Sequence, residues 1–111
     1  MNASVEPLGE VIIVHVAGSV DGLTAEDLQR VFSSEVEAGR KNLVADFAGV
    51  DYTSSAGLRV LLATLKQTRS RGGDLRLAAP RPEVSKVLDL SGFTGILRVF
   101  PTVDDAVRSF R

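Results

Sequence analysis

Apolar residues along this chain recur at two spacings, and the switches between them mark out alternating strands and helices. Ser4 to Leu8 reads as a short edge strand, where Pro7 is tolerated because an edge can lack one ladder donor. Gly9-Glu10 turns the chain into Val11–Ala17, whose density of β-branched residues predicts a buried strand. Gly18 to Gly22 reads as a loop. Thr24 reads as a helix N-cap with Asp27 three residues on, as in a capping box, and the helix runs through Leu28, Val31, Phe32 and Val36 to a stop at Gly39.

Leu43-Val44-Ala45 predicts a short buried strand ending at Asp46-Phe47, followed by a loop around Gly49. A second helix begins near Ser54. Its apolar face is Leu58, Leu61, Leu62 and Leu65, and its polar side carries Arg59, Lys66, Gln67 and Arg69 before Gly72-Gly73 ends it. Leu75 to Ala78 alternates as a strand does. Pro82 suits the first turn of a third helix, through Val84, Val87, Leu88 and Leu90, closed by Ser91-Gly92. Leu97 to Phe100 predicts a last strand, and Thr102 with Asp105 caps a final helix containing Ala106, Val107 and Phe110. Strands linked by helices favour parallel pairing with right-handed crossovers, so the pattern predicts an α/β layer structure on a mixed sheet of about five strands with about four flanking helices.

Composition narrows the function more than the fold. The 111 residues suit one domain spanning 1–111, and 44% apolar with 24% charged is ordinary for a globular chain. Net charge is −1 with both signs interspersed, which predicts no nucleic-acid footprint. The absence of cysteine excludes disulfides, thiolate metal sites and a cysteine nucleophile. The longest apolar run, Val11 to Ala17, falls far short of the ~20 residues that a membrane span needs. Met1 to Glu6 lacks a basic signal-type start, and a cytoplasmic location without membrane contact is expected. No phosphate loop, dinucleotide glycine motif or H-E-x-x-H is present, so no cofactor, metal or catalytic residue is assigned. The one histidine, His15, lies inside an apolar strand and reads as structural.

One segment stands apart: Asp51-Tyr52-Thr53-Ser54-Ser55-Ala56-Gly57-Leu58. Three hydroxyls in a row lie where a loop becomes a helix. Capping uses one of them. Ala56-Gly57 keeps the first turn small, so another backbone or a kinase can approach closely. A helix start also favours negative charge, so a phosphate there suits the fold while opposing an acidic or apolar partner.

The stretch from Leu43 to Leu62, with the Asp51–Leu58 segment at its centre, resembles the central block of STAS domains of the bacterial anti-sigma factor antagonist type. Val16-Ala17-Gly18-Ser19-Val20-Asp21 is similar to that family's G-x-x-D loop. The likeness continues through Leu75–Ala78, Pro82, Val87-Leu88, Leu90–Phe93 and Phe100–Ala106, covering nearly the whole chain. It implies a STAS fold and partner switching. The unphosphorylated antagonist binds an anti-sigma factor that is also a serine kinase, phosphorylation of one serine ends the binding, and a serine phosphatase resets it.

The family pattern D-S-[ST or A]-G-L places the modified serine at Ser55, with Ala56, Gly57 and Leu58 behind it. The aspartate position holds Ser54, a competing acceptor. The resemblance implies a partner surface of Asp21, Thr53, Ser54, Ser55, Ala56, Gly57 and Arg59, although Asp21 also fits a local Asx turn. Two other readings keep a non-enzymatic role: an unphosphorylated STAS subunit of a lipid transporter or larger signalling assembly, and a receiver-like phospho-acceptor using Asp46 and Lys86. The receiver reading requires an acid pair of which only Asp21 is present.

Overall fold

A computed structural model describes residues 1–111. The chain forms β1 (Asn2–Leu8), β2 (Val11–Val20), α1 (Ala25–Glu37), β3 (Asn42–Thr53), α2 (Ser55–Ser70), β4 (Asp74–Ala78), α3 (Pro82–Leu90), a 3₁₀ turn (Phe93–Gly95), β5 (Arg98–Phe100) and α4 (Val103–Arg108). The five strands lie in one sheet in chain order. β1 and β2 form an antiparallel hairpin, and β2, β3, β4 and β5 run parallel. Parallel neighbours in chain order need crossovers of one hand, which puts α1, α2 and α3 on one face of the sheet. This is the mixed α/β sheet with four helices that the periodicity predicts.

Strand alternation sorts the core into two layers. Ile12, Val14, Val16, Leu43, Ala45, Leu75 and Leu77 pack against Leu28, Phe32, Leu58, Leu61, Leu65, Val84 and Leu88 of the three helices. Val11, Ile13, Val44 and Ala78 point the other way, onto Ala106 and Val107 of α4. The six-residue α4 covers only part of its face. Helix ends follow the glycines: Gly39 (φ 92°) donates to Val36 and Arg40 donates to Glu35, and Gly72 (φ 82°) and Gly73 repeat the pattern on Arg69 and Thr68.

Two loops of the sequence reading are strand. β2 continues past Ala17 to Val20, and β3 continues past Phe47 to Thr53. The register between them shifts twice, after His15 and after Gly18, so bulges accommodate the glycines without ending the ladder. Gly49 lies so close to β2 that an added Cβ would meet the Ala17 Cβ at 2.9 Å. Thr24 is the N-cap of α1, but its side chain caps no helix amide. Its hydroxyl is drawn instead into the turn before the helix, accepting from the Asp21 amide at 2.9 Å. Thr102, by contrast, does accept from the Asp105 amide.

The buried stripe of α2 is also rotated from the leucine pattern. Leu62 is half-buried, while Thr64 and Thr68 are buried. Thr68 is accommodated because its hydroxyl donates back to the Thr64 carbonyl at 3.0 Å. Leu90, assigned to the apolar face of α3, is 79% exposed as the last residue of its helix.

Leu61 is 1% exposed in the centre of the larger cluster. Leu61→Ala is expected to cost about 2–5 kcal/mol of unfolding free energy in urea denaturation. A loss below about 1 kcal/mol would misplace the packing face of α2.

Candidate functional site

Parallel βα units send every strand into its helix at the same end of the sheet, so the starts of α1, α2 and α3 share one rim. The turn into α2 is tied there by main chain: the Ser54 amide donates to the Val20 carbonyl at 2.8 Å. Val20 is the last residue of β2 and pairs with Thr53, the last of β3. Asp21, the next residue, is thereby brought beside the Thr53–Gly57 segment.

Within that segment the side chains divide. Thr53 is 4% exposed and packs under Gly57, where an added Cβ would strike the Thr53 hydroxyl and approach a Val20 methyl to 2.9 Å. Gly57 is itself buried, so glycine is required here by space. Ser54 has the extended backbone of an N-cap (φ −91°, ψ 175°), yet its hydroxyl is enclosed and meets no hydrogen-bond partner. Ser55, the first helical residue, and Arg59, one turn on, are exposed, with Ala56 half-exposed. Thr53 and Gly57 are buried and therefore do not line a surface as the resemblance implies. They build the floor on which Ser55, Ala56 and Arg59 stand.

Leu58 is the first α2 amide with an intrahelical acceptor, the Ser54 carbonyl at 3.1 Å. The amides before it have none, and no side chain caps them. α1, α3 and α4 all carry acids in the first turn: Glu26 and Asp27, Glu83, and Asp104 and Asp105. α2 carries none. No acid of its own first turn offsets its positive end at the position of the exposed serine, where a negative group on Ser55 would be stabilised.

The Asp21 loop is closed by its own carboxylate. Asp21 Oδ1 accepts from the Leu23 amide at 2.9 Å and from the Thr24 amide at 3.1 Å. These bonds, Thr24 first, hold its pKa below the usual aspartate value. The Asx turn that the residues around Asp21 suggest is present. Ser19 links this turn to β3, with its hydroxyl on Asp51 at 3.1 Å and its carbonyl reached by the Thr24 hydroxyl at 3.1 Å. Two exposed apolar residues here, Leu23 and Tyr52, escaped the sequence reading. The signal for Leu23 was a large apolar residue inside the Gly22–Thr24 turn.

His15 lies away from the rim, on the part of the sheet that α4 leaves open. Its Nδ1 is 2.6 Å from Asp46 Oδ2 and its Nε2 is 2.7 Å from Glu6 Oε1. It is a satisfied histidine joining three strands. Asp46, engaged by His15 and by the Ala48 amide at 3.0 Å, is not a free acceptor for a receiver-type phosphate. No group of three or more His, Cys, Asp or Glu side chains is placed to hold a metal. No helix is long and apolar enough to cross a membrane. A cleft of about 420 Å³ lies among Leu8, Val11, Asn42, Val107 and Phe110, at the opposite end of the sheet from Ser55.

The STAS domain family model matches residues 2–106. The protein BtrV of Bordetella bronchiseptica is 33% identical over 111 residues, covering 100% of this chain and 96% of the relative. The crystal structure of an anti-sigma factor antagonist from Mycobacterium paratuberculosis superposes with a TM-score of 0.90 at 29% identity, covering 97% of this chain and 92% of that one. The anti-sigma factor antagonist SpoIIAA shares the fold at 20% identity. Its unphosphorylated form gives a TM-score of 0.86 over 99% of this chain and 96% of that one, and its phosphorylated form gives 0.77 over 99% and 100%.

Two predictions follow from this geometry. A neutral imidazole has one N–H, whereas both ring nitrogens of His15 face carboxylate oxygens, so the imidazolium is the form that fits. Hydrogen bonding to Asp46, then to Glu6, raises its pKa above the usual 6.5 against a smaller opposing effect of burial. The stabilisation is complete below 6.5 and lost as pH rises through the raised folded value. The stability difference between wild type and His15→Gln is therefore expected to hold constant just below pH 6.5 and to shrink as pH rises above it in urea titrations, and a pH-independent difference would refute the ion pairing. Ser54→Ala removes a hydroxyl that bonds nothing and should cost less than ~0.5 kcal/mol in thermal unfolding, instead of the ~1 kcal/mol of a working cap.

Proposed function

The chain belongs to the STAS domain family, and on that premise we propose that it is an anti-sigma factor antagonist acting by partner switching. In this reading the unphosphorylated protein binds an anti-sigma factor that is also a serine kinase, in the cytoplasm, and releases the sigma factor. Phosphorylation of Ser55 ends the binding and a serine phosphatase restores it. The protein works by binding and catalyses nothing itself.

One observation carries the reading: the exposed Ser55 hydroxyl on the first residue of α2, at a helix start with no first-turn acid and no side-chain cap. A kinase must bring its catalytic base and the γ-phosphate onto the hydroxyl it modifies, so the acceptor has to be open. Ser55 meets that requirement. The Ser54 hydroxyl is enclosed, which makes Ser55 the acceptor we propose over its neighbour. The rim lies outside the ~420 Å³ cleft, so its open shape suits a protein partner better than a small substrate.

The same site explains how one group can both suit the fold and end an interaction. A phosphate on Ser55 adds about −1.5 to −2 charges at the positive helix end, where the free chain tolerates it. At a docked surface the same charge must be desolvated against the partner, and affinity falls. The names of the relatives support the class of partner, and the phosphorylated form of SpoIIAA supports the kind of modification.

The test is direct. The serine kinases of anti-sigma type from the source genome are purified individually and incubated with the chain and ATP. Mass spectrometry is expected to locate phosphate on Ser55. Ser55→Asp should weaken binding to the cognate kinase about tenfold or more, ~1.4 kcal/mol, while Ser55→Ala binds normally and accepts no phosphate. Phosphate found only on Ser54 or Thr53 would move the acceptor. No phosphate at all, with Ser55→Asp binding normally, would end the switching proposal.

A further inference from the structure

Two helices of the protein place an acid in the first turn and an arginine one turn on. In α1, Arg30 lies 2.7 Å from Asp27 and 4.0 Å from Glu26, and in α4, Arg108 lies 2.7 Å from Asp105. α2 has the arginine without the acid: its first turn carries no Asp or Glu, and Arg59 follows Ser55 by four residues. The other arginines are held by acids, main-chain carbonyls or an aromatic ring. Apart from the terminal Arg111, only Arg59 has no hydrogen bond, ion pair or ring against it.

The helix sets which group Arg59 can meet. The neighbours of Ser55 one turn along are Leu58 and Arg59. Leu58 is buried, whereas Arg59 is exposed on the same side as Ser55. Long helical side chains lean back over the turn on their N-terminal side, which for Arg59 is the turn that begins with Ser55. An anion four residues N-terminal to a cation is also the favoured order for such a pair.

We propose that Arg59 is the internal counter-ion of phosphorylated Ser55, so that phosphorylation supplies the first-turn acid that α2 lacks. This rests on the functional reading above and adds to it what the phosphate does within the chain. Transfer of the γ-phosphoryl group from ATP to the Ser55 oxygen releases ADP and the hydroxyl proton, and leaves a phosphomonoester whose second ionisation lies at about 6. Its oxygens suit the guanidinium fork. Before the transfer, the start of α2 offers a partner a free cation beside an open hydroxyl. Afterwards the cation is engaged within the chain and the excess negative charge remains. One modification thus changes two surface groups.

The test uses the full chain with phosphoserine encoded at position 55 during translation, so it does not depend on any kinase. Phosphorus NMR titration at low ionic strength reads the second ionisation of the phosphate. A nearby cation favours the dianion, so the parent chain is expected to titrate about 0.3 pH unit or more below Arg59→Gln. Arg59→Lys keeps the charge and should recover most of that difference. Lys66→Gln removes the same charge two turns further along α2 and should leave the titration within about 0.1 unit of the parent. A role of Arg59 in helix stability alone would move the melting temperature and leave the titration where it was. Equal titration of the parent and Arg59→Gln overturns the pairing while the switching reading stands. An equal shift in Lys66→Gln overturns it too, because overall charge then accounts for the effect. The switching reading is tested apart from this by the kinase incubation: no phosphate on Ser55 there ends that reading, and the regulatory use of the pair with it, whatever the titration gives.

Discussion

A single main-chain hydrogen bond, from the Ser54 amide to the Val20 carbonyl at 2.8 Å, joins the end of β2 to the start of α2. It completes the parallel ladder at the point where both strands stop, with Val20 paired to Thr53. Because of it, the two turns that leave the sheet here stay side by side. Gly57 tightens the junction by letting the first turn of α2 settle on Thr53 and Val20. A larger residue at Gly57 would lift the helix start off the sheet, and Ser55 and the Asp21 turn would no longer share a rim.

Two polar clusters of the molecule differ in kind. On the open face of the sheet, His15 is bound by Asp46 and Glu6, with every ring nitrogen engaged. That arrangement stabilises β1, β2 and β3 as a unit and leaves nothing over for a visitor. At the rim Asp21 Oδ1, the Thr24 hydroxyl and the Ser19 carbonyl are tied into one turn, beside which the Ser55 side chain stays exposed.

Much of this was legible in the residues. Element order, the mixed sheet and the helix start at the Thr53–Gly57 segment follow from periodicity, glycine stops and the proline at α3. The misreadings share a cause: Gly18 and Gly49 punctuate a sequence as turns do, whereas here they permit bulges and a close strand approach inside one long ladder. Long-range pairing decides that, and no window of local sequence contains it. The division of Thr53, Ser54 and Ser55 into floor, enclosed hydroxyl and exposed hydroxyl was hidden for the same reason, because three adjacent hydroxyls look alike until Val20 and Gly57 are packed around them. His15 and its two carboxylates lie on three strands, 9 and 31 residues apart in the chain, and could be paired only once the sheet register was known.

Strand order equal to chain order has a consequence for how the molecule comes into being. Each strand after the first meets a finished edge as it emerges, so the sheet can grow in the direction of synthesis without waiting for a distant segment. Loop closures stay short at every step, which keeps the entropic barrier to each addition small. The β1–β2 hairpin, α1, β3 and α2 are all complete by Ser70. A nascent chain at the ribosome therefore has the Asp21 turn and the Thr53–Arg59 segment in hand before β4, β5 and α4 are made, and the last third of the protein serves to seal the sheet.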